Sequence, residues 1–119
     1  MEDLLIETLE KLGYPVRRQG SLGTDEAYPD HFFTFWNNAT DSTSYYDNEE
    51  HSIEWDFDVN FYSINPDFTY QKLNEAIKAL KTAGFIVSGR GYDVGSDEPT
   101  HTGRGCNAVF LEKFKGVIE

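Results

Sequence analysis

Lysine and arginine are missing from residues 19 to 71, a stretch that holds eleven acids from Asp25 to Asp67. Elsewhere the remaining ten acids and ten bases cancel, so the whole formal charge of −11 belongs to the middle of the chain. Affinity for nucleic-acid phosphates comes largely from Lys and Arg that displace counterions, and this balance therefore opposes a conventional DNA- or RNA-binding protein. Cysteine occurs once, at Cys106, which excludes an internal disulfide framework and a Cys-based zinc motif. A small buried core residue is expected there. No apolar run approaches the roughly 20 residues that span a bilayer. Met1 is followed by Glu2 and Asp3, the wrong charge for a signal peptide, so a cytoplasmic start is expected.

Catalytic and ligand-binding signatures are missing as well. There is no Gly-x-Ser-x-Gly nucleophile turn. Gly89-Arg90-Gly91 and Gly103-Arg104-Gly105 look like pieces of phosphate-binding loops, but neither follows the full pattern or closes with Lys-Ser or Lys-Thr. Their glycines are expected to permit turns or bulges. His31, His51 and His101 lack the spacings that put two ligands on one helical face. Asp56-x-Asp58-x-Asn60 opens like a calcium loop but has neither the following Gly nor the distal Glu. The cluster of Asp47, Glu49, Glu50 and His51 reads as a solvated loop. The expectation is a protein that is not an enzyme and takes no metal and no cofactor.

What is present suffices for one domain over residues 1–119. The hydrophobic share of 39% and the aromatic share of 15% exceed what disordered segments carry. Leu5, Leu9 and Leu12 at helical spacing, with acids at the start and Gly13 and Pro15 at the end, predict a short amphipathic helix over Glu2 to Leu12. A brief strand over Pro15 to Arg18 and an aromatic strand over His31 to Trp36 follow, the latter with Phe33 and Phe35 on one face and Phe32, Thr34 and Trp36 on the other. Asn37 to Glu50, polar and without Gly or Pro, is a long loop or an extended hairpin tip.

The clearest signal is the alternation from Ser52 to Tyr62. Ile53, Trp55, Phe57, Val59 and Phe61 form one face of a strand, and Glu54, Asp56 and Asp58 lie on the other at roughly 7 Å intervals. Arg17, Arg18 and Arg90 are the expected cross-strand partners of those acids, within the subunit or across an interface. Asn65-Pro66 caps a longer helix whose face is Tyr70, Leu73, Ile77 and Leu80, stopped by Gly84 with Phe85 folding back. Two further strands are predicted, Phe85 to Tyr92 and Cys106 to Phe114, around a polar loop from Asp93 to Arg104. The order α-β-β-β-α-β-β predicts an α+β fold, a largely antiparallel sheet with two helices packed on one face. Tyr28, Tyr45, Tyr46 and Tyr62 stand beside acids instead of inside apolar runs. Tyrosine there suits a protein interface.

Leu12-Gly13-Tyr14-Pro15-Val16, Phe32-Phe33-Thr34-Phe35-Trp36-Asn37, the strand from Trp55 to Ser63 with Asn65-Pro66, and Gly84-Phe85-Ile86-Val87-Ser88-Gly89 together resemble the tail-terminator, or tail-to-head joining, proteins of long-tailed phages and prophages of Gram-positive hosts. The resemblance is one of pattern and order over nearly the whole chain. It implies a structural virion protein, made in the host cytoplasm and carried into the virion tail, that forms a ring, usually of six subunits. Such a ring caps the tail tube and joins the head connector, while DNA passes through without specific binding. The implied partners are other copies of itself, the tail tube protein and the head connector protein, with no membrane. The resemblance further implies an arm made by the loop from Asn38 to Glu50, in which Tyr45, Tyr46, Asp47, Asn48, Glu49 and Glu50 are the candidate subunit-contact residues. It also implies an acidic channel face, for which Glu54, Asp56 and Asp58 are the candidates. The alternatives are a neighbouring neck or connector-completion protein and, from another class, an acidic DNA mimic that inhibits a nucleic-acid-binding enzyme.

Overall fold

The alternating stretch around Phe57 becomes the centre of a six-stranded sheet. The computed structural model describes residues 1–18, 28–46, 49–96 and 98–113, and gives the backbone alone for 39–46, 49–51 and 113. In chain order the elements are α1 (Glu2–Glu10), β1 (Val16–Arg18), β2 (His31–Tyr46), β3 (Glu49–Ser63), α2 (Pro66–Ala83), β4 (Ile86–Val87), β5 (Tyr92–Val94) and β6 (Thr102–Lys113). The sheet runs β1-β2-β3-β6-β4, with β5 also paired to β6. β1 is parallel to β2 and every other pairing is antiparallel, which is the α+β architecture that the element order implies.

Period-two alternation gives the sheet two unlike faces. Phe33, Phe35, Phe57, Val59, Phe61, Cys106 and Ala108 point to one side and are buried against Leu5 and Leu9 of α1 and Leu73, Ala76, Ile77 and Leu80 of α2. Both helices thus lie on that side. Of the apolar ladder on β3, Phe57, Val59 and Phe61 are fully buried. Trp55 and Ile53 are half-buried, because the ladder outruns the helix above it. Trp55 stacks on Phe57 with ring planes 6° apart and donates its indole N–H to Glu112. Fully burying one such ring is worth about 1.5–3 kcal/mol, so the three deepest rungs carry most of what this strand contributes.

α2 is bounded as its sequence dictates. The Asn65 side chain accepts from the backbone N–H groups of Asp67 and Phe68, Pro66 takes the first turn, and Gly84 ends the helix at φ 108°. Gly84 N–H bonds to the Lys81 carbonyl and Phe85 N–H to the Leu80 carbonyl, which folds buried Phe85 back onto the last turn. α1 ends before Leu12, with Gly13 at φ 95° turning the chain toward β1.

Two expectations need correction. Residues 85–92 do not form one strand, because Gly89 and Gly91 adopt φ 73° and 91° and divide it into β4 and β5, so the element order gains a strand. The loop predicted from Asp93 to Arg104 is shorter, since Asp93 and Val94 belong to β5 and Thr102 to Arg104 already pair with β3. Phe114 lies outside the described residues. Between Asn37 and Glu50 the open choice resolves to a hairpin: β2 and β3 stay paired to Tyr46↔Glu49, with register shifts between Asn37 and Ala39 and again beyond Ser42. The absence of Gly and Pro lets both strands continue, and the polar composition follows from the hairpin standing clear of the helices. At roughly 3.3 Å per residue the 16 residues of β2 span nearly the full 54 Å length of the molecule.

Candidate functional site

The face of the sheet away from the helices is where the candidate acids stand. Register places Trp36, Asp58 and Asn107 in one row across β2, β3 and β6. The next row toward the hairpin holds Asp56, Val109 and Ile86, and the one beyond it Glu54 and Leu111. In the other direction a row joins Arg17, Thr34, Asn60, Gly105 and Tyr92. The expectation that Glu54, Asp56 and Asp58 share one face is what the register shows.

Neutral donors hold the two central carboxylates. Asp56 accepts from the Asn107 amide at 2.6 Å and from the Asn38 amide at 3.2 Å. Asp58 accepts from the Trp36 indole N–H at 3.1 Å and from the same Asn107 amide at 3.3 Å. The ion pairs of the described residues are Arg18–Glu2, Lys72–Glu75 and Arg104–Asp93, and none reaches Glu54, Asp56 or Asp58. The expected arginine partners are therefore placed otherwise within the subunit. Arg18 lies on the helix side, where it meets α1; Arg17 bonds to its own neighbour's carbonyl; Arg90 sits in the turn between β4 and β5. Burial, with Asp58, Cys106 and Asp56 adding in that order, holds the Tyr92 phenol above its ordinary range, so the acids are felt at β5.

Large apolar side chains stand exposed around these acids. Trp36 is 49% exposed, Tyr92 47%, Ile86 63% and Leu111 41%, and register puts all four on the helix-free face. Single exposed apolar groups are ordinary on a protein surface, but these four share one sheet face with charges that have no ion-pair partner among the described residues. The sequence pattern locates the acids and Trp36 on this face but not Ile86, Tyr92 or Leu111. Ile86 and Leu111 fall in predicted strands, but the face of β6 follows only from its pairing with β3, and that of β4 from its pairing with β6. The alternation in β2 predicts Trp36 opposite Phe33 and Phe35, and the register agrees.

Other candidates have structural employment. Tyr28 packs edge-on against Phe32 and His101, and Tyr62 stacks on Phe32, so these two rings lie on their own domain. The side chains of Tyr45, Tyr46, Glu49, Glu50 and His51, together with Asp47 and Asn48, lie outside the described residues. His101 is buried, its Nε2 2.8 Å from the Pro29 carbonyl and its Nδ1 3.0 Å from the Thr100 hydroxyl. His31 meets buried Ser63 at 2.8 Å. Among the described residues no three of His, Cys, Asp and Glu gather closely enough to hold a metal ion. Cys106 is buried in the core. A groove of about 530 Å³ runs between Pro66, Thr69 and Tyr70 of α2 and residues 93–96. Arg104 on its floor is tied to Asp93 and to the carbonyls of Arg90 and Gly91, beneath the Tyr70 ring. No helix among the described residues is long and apolar enough to cross a membrane.

No protein-family model and no curated protein matches the chain.

Proposed function

We propose that this chain is a structural assembly subunit of the tail-terminator kind, which closes into a ring with its own copies, caps a phage tail tube and joins it to the head connector. It is made in the host cytoplasm, ends in the virion tail and performs no catalysis. The observation that carries the reading is the helix-free sheet face, where carboxylates without a basic partner among the described residues stand among four exposed large apolar side chains. Beside it, the β2–β3 hairpin offers an arm of the kind that the resemblance implies.

The face supports contact with protein better than a bare channel wall. As the lining of a DNA passage, Trp36, Ile86, Tyr92 and Leu111 would stay wet, whereas a protein surface laid over them removes apolar area from water at about 25 cal/mol per Å². Heterologous contacts of this kind close into rings when the rotation between copies permits.

Inactivation of the gene in its phage, followed by electron microscopy of lysates, tests the reading. Tails of uncontrolled length that fail to join heads are expected. Tails of normal length, attached to full heads, would overturn it.

A further inference from the structure

We infer that Asp58, beside the exposed Trp36 ring and on the same sheet face as exposed Tyr92, is a docking socket for an arginine or lysine side chain carried by a partner protein. The inference rests on the assembly reading for the kind of occupant and on the geometry for its charge.

Trp36 lies directly across from Asp58 and donates to its Oδ2, while Tyr92 stands one register row along on β5, beyond Gly105 of the intervening β6. Both rings remain half-exposed. The hydrogen bonds to Asp58 and Asp56 come from an indole and from amides, which orient the carboxylates without cancelling their charge. A carboxylate with an exposed aromatic ring beside it attracts a cation twice over, by direct charge and through the ring face left open to solvent. Arginine fits best, because its flat guanidinium can lie against a ring while its N–H groups reach an oxygen. Ile86 and Leu111 extend the apolar surface on which the flanks of a basic segment would rest.

The same charge decides against other occupants. Nucleic-acid phosphates and anionic lipid headgroups are repelled, and a second copy laid face to face would set acid against acid. Thr34 adds an independent sign that the face is incomplete alone. It is 6% exposed, lies on this side two residues from Trp36, and its hydroxyl has no hydrogen-bond partner among the described residues. Buried hydroxyls are ordinarily satisfied.

The two tryptophans provide the test. Trp36 Nε1 reports on the socket, and Trp55 Nε1, bonded to Glu112 on the helix side, serves as an internal control. The full chain, labelled with nitrogen-15, is titrated with acetyl-Leu-Arg-Leu-amide at fixed ionic strength, and in parallel with the Gln and Glu versions of the peptide. A saturable shift of the Trp36 indole signal is expected, with at least about tenfold preference for Arg over Gln, while the Trp55 signal stays in place. In Asp58→Asn that preference should fall to parity, with the unfolding midpoint kept or slightly raised. Tyr92→Leu, at an exposed site, should weaken Arg binding without removing the charge preference. Equal response to the Gln peptide, or Arg preference surviving in Asp58→Asn, overturns the socket and leaves the assembly reading standing. Normal tails in the inactivated phage, with Arg preference intact in the purified chain, would do the reverse.

Discussion

Asp56 and Asp58 share one donor, the Asn107 side-chain amide, at 2.6 and 3.3 Å. Two carboxylates drawn toward one neutral group repel each other, and no cation of the described residues is within ion-pair distance to offset it. Surfaces kept for binding are often suboptimal for stability. Asp56→Asn keeps an oxygen for Asn38 and Asn107 and removes one charge. It should stabilise the chain by about 0.5–1 kcal/mol in dilute buffer, and the gain should shrink in 1 M salt, where the screening length is only about 3 Å. Urea unfolding at the two salt concentrations measures both. Destabilisation at low salt would show that the carboxylate supports the fold.

Glycine is required at Gly91, which α2 and β6 crowd, and at Gly105, which β3 crowds. At Gly91, φ is 91°, and an added Cβ would lie 2.7 Å from Leu73 Cδ2 and 2.8 Å from the Gly105 carbonyl. At Gly105 it would collide with Asn60 Oδ1 and lie 3.1 Å from the Val59 carbonyl. Asn60 can swing aside, but the backbone cannot. Gly91→Ala and Gly105→Ala should each cost about 2 kcal/mol or more, as positive φ and overpacking generally do. Gly95→Ala is the matched control, with no atom within 4 Å and an ordinary φ, and should lie within about 0.5 kcal/mol of the parent. Thermal or urea denaturation of the three variants decides it.

Much of the fold was legible because periodicity and end signals are local. The alternation through Phe57 and Val59, the Asn65-Pro66 start and the Gly84 stop each depend on residues a few positions apart, and each appears where expected. The β4–β5 break was not legible. Gly89 and Gly91 could bend a strand or end it, and at Gly91 the outcome depends on how closely Leu73 and β6 approach, which is a tertiary matter. The acidic half of the face could be read from one strand alone. Its apolar half comes from β2, β4, β5 and β6, and only the register Trp36↔Asp58 and Ile86↔Val109 assembles it.

The cap of α2 offers a simple check on how that helix is held. Asn65 accepts two backbone N–H groups at 3.0 and 3.3 Å, and its own N–H donates to buried Ser63. Asn65→Ala should lose about 1 kcal/mol, whereas Asn65→Asp, which retains the acceptor and places a negative charge at the positive helix end, should be neutral or slightly stabilising. Equal losses in the two variants, by urea titration, would mean that the side-chain oxygen is not what holds the helix start.

Alkaline stability carries the imprint of Cys106. Burial, with Asp58 adding, pushes its thiol up to about 12 from an ordinary 9.0. Between those values the folded chain keeps a proton that the unfolded chain releases. The folded state then binds more protons, and linkage requires stability to fall as pH rises through the window. The contribution is fully present below pH 9.0 and is lost on the way to about 12. Tyr92 has the same sign, its phenol being raised chiefly by burial and next by Asp58. Cys106→Ala removes one of these groups and leaves a small cavity, so it should lower stability at pH 7 yet flatten the decline from pH 9 upward. Asp58→Asn should flatten the decline too, without the cavity cost, because it weakens a cause common to both groups. Urea midpoints from pH 7 to 11 for the parent and the two variants give the slopes. An equally steep fall in Cys106→Ala would place the alkaline sensitivity elsewhere, and rapid reaction of the folded thiol with a disulfide reagent at pH 8 would contradict the burial on which the argument stands.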